Sequence, residues 1–139
     1  MEKIRWQKNL SVGMELIDNQ HKQWISHYND IVDSIASQQN KTQVSKTLGF
    51  LIDYTEVHFS TEEKHMAANG YPGLQEHKAK HDGLRATLAN LVKEFEEEGA
   101  TTQLSEAIDT FLGHWLIRHI QEVDIKFGEF ARENKIVVA

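Results

Sequence analysis

The sequence contains no cysteine. Disulfides, thiolate metal sites and cysteine nucleophiles are thereby excluded, and any metal held here takes nitrogen and oxygen ligands. There is one proline, Pro72, and it stands in the run GYPG, where it marks a turn. No apolar run approaches the roughly 18 residues that span a bilayer, so no membrane segment is expected. The opening residues MEKIRWQKN lack the apolar stretch of a signal peptide, and a cytoplasmic protein is the expectation. Basic stripes are also missing. With a net charge of −6, the chain is not expected to bind nucleic acid.

What is present is ordinary in bulk. The 139 residues are 40% apolar and 26% charged, which suits one globular domain over 1–139. The oddity is eight histidines in a chain without cysteine.

Four segments carry a helical period, separated by turn signals. The first, about 17–37, has the stripe Ile17, His21, Trp24, Ile25, Tyr28, Ile31, Val32, Ile35. Asp18 near its start suits the helix dipole. The second, about 42–69, has Val44, Leu48, Leu51, Thr55, His58 and Glu62, and Gly70 is placed to end it. The third, about 74–98, has Leu74, His77, His81, Leu84, Leu88, Leu91 and Phe95. The fourth, about 102–132, follows a threonine cap and has Leu104, Ile108, Phe111, Leu112, Trp115, His119, Val123, Phe127 and Phe130. Short connections make neighbours antiparallel. The predicted fold is all-α: an up-down-up-down four-helix bundle. An N-terminal arm over about 1–15 brings Trp6, Leu10 and Val12 to its side.

Five histidines fall on apolar stripes: His21, His58, His77, His81 and His119. One core histidine is commonly satisfied by a neighbouring group. Five in one small core each need a partner, because an unpaired buried polar group costs about 1–3 kcal/mol. A metal satisfies them together. His77 and His81 are four apart, as are His58 and Glu62, so each pair shares one helix face. Two divalent cations in a core also need anionic compensation, and a carboxylate can hold one metal with each oxygen. A second carboxylate should come from HIQEVD in the fourth helix. Ideal periodicity favours Glu122, at i+3 from His119. Asp124, at i+5, requires a local widening such as a π-bulge.

The stretches SVGMELIDNQHK, HFSTEE followed by GYP, HKAKH and WLIRHIQEVD resemble the hemerythrin family over nearly the whole chain, in family order and spacing. The resemblance implies a non-haem di-iron site that binds dioxygen reversibly. It matches His21, His58, Glu62, His77, His81, His119 and Asp124 to the family's ligands, and so selects Asp124 over Glu122. It implies His77, His81 and His119 on one iron and His21 and His58 on the other. Glu62, Asp124 and an oxo or hydroxo group would bridge the two, and the two-histidine iron would stay open for dioxygen. Around that position Trp24, Ile25, Phe59, Trp115, Leu116 and Ile120 are expected to form a dry pocket. His27, His114, Glu63 and Glu122 are expected at the surface, and His65 at a helix end.

The function expected from this resemblance is oxygen carriage, storage or delivery, not catalysis. The alternatives are a di-iron enzyme acting on dioxygen, peroxide or nitric oxide, or an oxygen- or iron-sensing module working with a separate protein partner.

Overall fold

A computed structural model describes residues 2–138. Its long helices are α1 (Glu15–Ala36), α2 (Lys41–Ala68), α3 (Leu74–Glu98) and α4, a continuous helical rod over 102–133. No strand occurs among the described residues, and successive helices pack as an antiparallel four-helix bundle. No helix is long and apolar enough to cross a membrane.

The ends are set by local chemistry. Asn40 caps α2 by accepting from Gln43 N–H at 2.9 Å, and Thr101 caps α4 by accepting from Leu104 N–H at 3.0 Å. At the far end of α2, Gly70 takes φ +65°. This lets Tyr71 N–H reach Met66 O at 3.0 Å and Gly70 N–H reach Ala67 O at 3.3 Å, which closes the helix. The turn through Pro72 then delivers the chain to α3.

The arm seals one side of the bundle. Leu10, Val12 and Met14 are buried, while Trp6 is partly so. Asp18 accepts from Val12 N–H at 2.8 Å and from the Ser11 hydroxyl, tying the arm to the first turn of α1. Asn29 both donates to and accepts from the Ile4 backbone at 2.8 Å. The arm lies so close to α4 that a Cβ on Gly128 would sit 2.1 Å from Val12 O.

α4 departs from the periodic reading in an informative way. Two stretches, Ala107–Leu112 and His119–Asp124, are wound as π-helix. Its buried side chains include Leu104, Ile108, Leu112, Leu116, Ile120 and Asp124, in steps of four. In an ideal α-helix each such step drifts by about 40°, so the row would spiral off the core. The wider turns hold it inward. Phe111, expected on the stripe, is consequently 45% exposed, and Trp115, Val123 and Phe130 are only partly buried.

Two glycines should respond oppositely to alanine. Gly128→Ala meets backbone and should cost about 1–3 kcal/mol through displacement of the arm. Gly49→Ala, where an added Cβ meets nothing within 4 Å, should stabilise by roughly 0.5–1 kcal/mol through helix propensity. Urea denaturation of both variants checks the signs.

Candidate metal centre

Toward the end of the bundle where α1 and α3 begin and α2 and α4 finish, each helix sends polar side chains into the core. His21 comes from α1, His58 and Glu62 from α2, His77 and His81 from α3, and His119 and Asp124 from α4. All seven are between 0% and 3% exposed. They form two overlapping clusters. Glu62, His77, His81, His119 and Asp124 offer one ligand atom each within a 4.8 Å span, as do His21, His58, Glu62 and Asp124. The two carboxylates belong to both groups.

The distances follow the same division. Asp124 Oδ1 lies 2.9 Å from His77 Nε2 and 3.0 Å from His119 Nε2, while Oδ2 lies 2.8 Å from His21 Nε2. Glu62 Oε1 is 3.1 Å from His58 Nε2 and 3.5 Å from His81 Nε2. His81 and His119 meet Nε2 to Nε2 at 3.1 Å.

The π-helical stretch His119–Asp124 brings Asp124 into this group. In an ideal α-helix the i+5 residue points about 140° away from residue i, whereas wider winding returns it toward the same face. Glu122, favoured by ideal periodicity, instead points outward and lies 3.6 Å from Arg118.

The interior is under-satisfied. His21 Nδ1, His58 Nε2, both Glu62 oxygens, both His77 ring nitrogens and Asp124 Oδ1 are buried without a hydrogen-bond partner among the described residues. Such atoms cost about 1–3 kcal/mol each when left alone. Cations at the two cluster centres would satisfy carboxylate oxygens and imidazole lone pairs together, so the donor set fits a pair of metal ions.

Electrostatics favour the neutral form of three imidazoles, His58, His81 and His119. Burial pushes His58 down to about 4, and burial with the neighbouring His119 and His77 pushes His81 down to about 2. Burial also lowers His119, against the pull of Asp124. His77 is raised instead, because its contact with Asp124 outweighs burial. The carboxylates move apart. Burial and the adjacent Asp124 hold Glu62 well above the usual range, whereas His119, His21 and His77 hold Asp124 well below it despite burial. The two carboxylates of the centre are thus displaced in opposite directions. Metal binding would favour the ionised form of Glu62 and so oppose the upward displacement.

A ring of outer groups orients the imidazoles. His58 Nδ1 pairs with Gln20 Oε1 at 2.8 Å, which leaves Nε2 facing inward. His81 Nδ1 pairs with Glu63 Oε2 at 2.7 Å. Glu63, expected as a surface charge, is therefore partly buried and fixes a site histidine. Arg85 holds it at 3.0 Å, also pairs with Glu56 and Asp82, and lies over the Phe59 ring. Phe59 in turn stacks on His81, with ring centroids 3.8 Å apart. Gln20 and Glu63 adjoin site residues in sequence, at the edges of their stripes. That adjacency was the available signal, but the partner across the helix interface was not visible.

Of the six expected pocket residues, the three aromatic ones lie beside site histidines and one another. Trp24 lies 5.1 Å from His58, 5.4 Å from Phe59 and 6.2 Å from Trp115, between ring centroids. Ile25, Leu116 and Ile120 are buried in the core. Trp115 is only partly buried, and its ring stacks on His119 at 4.4 Å. His27 packs beside Tyr54, His114 is exposed, and His65 sits in the last turn of α2, outside both clusters.

Glu63→Gln keeps the shape of the side chain but replaces a carboxylate acceptor by an amide. It should weaken uptake of a divalent transition metal by roughly 10–100-fold. Metal titration of the wild type and variant under competing chelator measures this. Equal affinities would show that Glu63 does not tune the centre.

The profile of the family described as Hemerythrin HHE cation binding domain matches residues 12–131. A bacteriohemerythrin from Methylococcus capsulatus is 36% identical over 111 residues, covering 80% of this chain and 82% of that protein. One from Stenotrophomonas maltophilia is 30% identical, covering 97% and 91%. A crystal structure of wild-type hemerythrin superposes with a TM-score of 0.83 at 32% identity, covering 92% of this chain and 97% of that one. Sequence and fold agree over almost the same span, and the chain belongs to the hemerythrin family.

Proposed function

We propose that this chain binds dioxygen reversibly at a non-haem di-iron centre, as a carrier, store or delivery protein. The observation that carries the reading is the pair of overlapping clusters that share Glu62 and Asp124. In this reading His77, His81 and His119 hold one iron, and His21 and His58 hold the other. Glu62 and Asp124, which belong to both clusters, would serve both ions. When bound in the ferrous state, the iron pair supplies the electrons that hold dioxygen and recovers them on release.

The chain's own residues make the rest of the mechanism. The ligand sets are unequal: three imidazoles against two. The side of His21 and His58 is thus one donor short, and that is the natural place for an exogenous ligand. In this reading Trp24, Ile25, Phe59, Leu116 and Ile120, all buried, would wall the region with apolar surface. The one polar hydrogen of Trp24 is taken by Thr55 Oγ1 at 2.8 Å, and Thr55 in turn donates to Leu51 O. His58 and His81 commit their outer N–H groups to Gln20 and Glu63. The proton donors of these residues are therefore committed to partners away from the space between the clusters.

The same features disfavour catalysis. Oxygen-activating bundles typically use four carboxylates and two E-x-x-H motifs. Here five imidazoles accompany two carboxylates, and the histidine of the single E-x-x-H, His65, lies outside the clusters. A site with less negative charge stabilises high-valent iron less well.

The stoichiometry is testable on Glu122 and Asp124, the two candidate bridging carboxylates of α4. Wild type should load one iron per cluster, take up dioxygen anaerobically prepared, and release it under vacuum. Asp124→Ala should lose the paired centre, while Glu122→Ala should load and bind normally. Iron analysis with oxygen-electrode measurements decides, and the opposite ranking would mean that Glu122 is the bridging group. Protein that consumes a reductant catalytically under air, without releasing dioxygen, would establish the enzyme alternative.

Leu116 provides the test of shielding. It is fully buried one turn before His119. Leu116→Ala should cost about 2–5 kcal/mol of stability and hasten conversion of the oxygenated protein to the ferric form. Leu116→Met keeps the volume and should do much less. Stopped-flow absorbance decay of all three proteins compares the rates.

A further inference from the structure

The seven site residues are not equally sealed from outside. His21, His58 and His81 have no exposure, whereas His77 and His119 keep 2% and 3%. Both line grooves on the outer face between α3 and α4. One groove, about 400 Å³, runs past Lys80, Phe111, Trp115, Arg118 and His119. A smaller one, about 150 Å³, adjoins it and contains His77 and Lys126. The grooves share Lys80, Glu122 and Val123, so they are continuous.

Trp115 joins this surface to the interior. Its ring lines the larger groove and stacks on His119 with centroids 4.4 Å apart and planes within 10°. Phe111 stands at the rim, 45% exposed, with no role in the core. The charge is distinctive for an acidic chain. Lys80, Arg118 and Lys126 face Glu122 and Glu76, and Glu122 is already close to Arg118. Lys80 and Lys126 make no ion pair within 4 Å among the described residues, so cationic groups are free beside an aromatic floor.

The geometry points to a docking site for a small planar, anionic reductant of the reduced-flavin class, which returns oxidised iron to the ferrous state through Trp115 and His119. This inference rests on the di-iron reading. The groove volume is that of a small-molecule site, whereas a stable protein partner needs a much larger face. An isoalloxazine ring stacks on Phe111 and Trp115, and its phosphate reaches Lys80. A flavin also fits the electron count. Each ferric ion accepts one electron, and a reduced flavin releases electrons singly, whereas a nicotinamide transfers hydride and must touch its acceptor. In the complete step, reduced flavin loses two electrons, one to each iron, and two protons to solvent, leaving oxidised flavin.

The first test needs no iron. Oxidised flavin mononucleotide is titrated into metal-free protein and followed by tryptophan fluorescence. Saturable binding is expected, about tenfold weaker in Lys80→Glu and several-fold weaker in Phe111→Ser. Riboflavin, which lacks the phosphate, should bind weakly and be indifferent to Lys80→Glu. Both substituted positions are exposed, so folding is not at stake. The second test mixes air-oxidised, iron-loaded protein anaerobically with reduced flavin mononucleotide. Reduction should saturate with flavin and slow about tenfold in Lys80→Glu, with dioxygen affinity unchanged. Non-saturable flavin binding, or binding indifferent to both substitutions, overturns the site. Saturable binding with unsaturable reduction equal in wild type and variant overturns its role as an electron port. The di-iron reading fails separately, at iron loading, before flavin is added.

Discussion

Five imidazoles and two carboxylates are buried at one point of a bundle whose remaining core is almost wholly apolar, and most of the structure follows from accommodating them. Without a metal they have mainly one another, and the pairing is incomplete. Asp124 gathers three imidazoles, while Glu62 is left with both oxygens unbonded. The opposite displacement of the two carboxyl groups follows directly. Asp124 is surrounded by donors that reward its charge, whereas Glu62 faces that charge in a medium that solvates neither. A centre built this way has the donor atoms of a two-cation site already assembled. The helix packing that assembles them must therefore be stabilised elsewhere, by the apolar layers on either side and by the docked arm.

That demand reaches the backbone through α4. Every other helix presents its site residues at ordinary α-helical spacing: His58 with Glu62, and His77 with His81. α4 presents His119 and Asp124, five apart, and does so by winding the intervening turn as π-helix. The second widened stretch, Ala107–Leu112, lies away from the clusters. It keeps the row of four-residue steps from Leu104 to Leu116 facing the core, so the helix arrives at His119 in the right orientation. A local irregularity at the site is thus prepared by another one two turns earlier.

These relations explain what could be read from the sequence. The bundle was legible because histidine and glutamate at i and i+4 continue an apolar stripe, and the stripe is what periodicity detects. Asp124 was not legible from periodicity, since ideal winding selects Glu122. Only the family resemblance pointed to it, and the structure buries Asp124 while leaving Glu122 exposed. Phe111 was misplaced for the same reason: an ideal period carried through a π turn assigns the wrong face. Glu63 and Arg85 were missed for another. Glu63 meets His81 across the α2–α3 interface, eighteen residues away, and single-helix periodicity holds no information about such a partner.

The outer partners also make the two flanks of the centre different. On the flank of His81, Glu63 and Arg85 form a chain of charge-assisted bonds to the surface, with Phe59 sandwiched between Arg85 and the imidazole. His81 is thereby fixed by both hydrogen bonding and stacking. On the flank of His119 the cover is a single indole, Trp115, itself partly exposed. On the flank of His21 and His58 the cover is Trp24, fully buried, with its N–H bound to Thr55. Three aromatic rings thus lie beside three parts of one centre in three different environments: ion-paired, solvent-touching and dry. Polar solutes in the groove between α3 and α4 come up against the second ring, Trp115. An apolar gas that partitions into protein interiors has no need of that approach. It can reach the dry flank, where the donor set is one imidazole short. Which ring covers which histidine thus separates the two routes, and in the proposed di-iron reading this would give dioxygen a path to the centre that proton donors do not share.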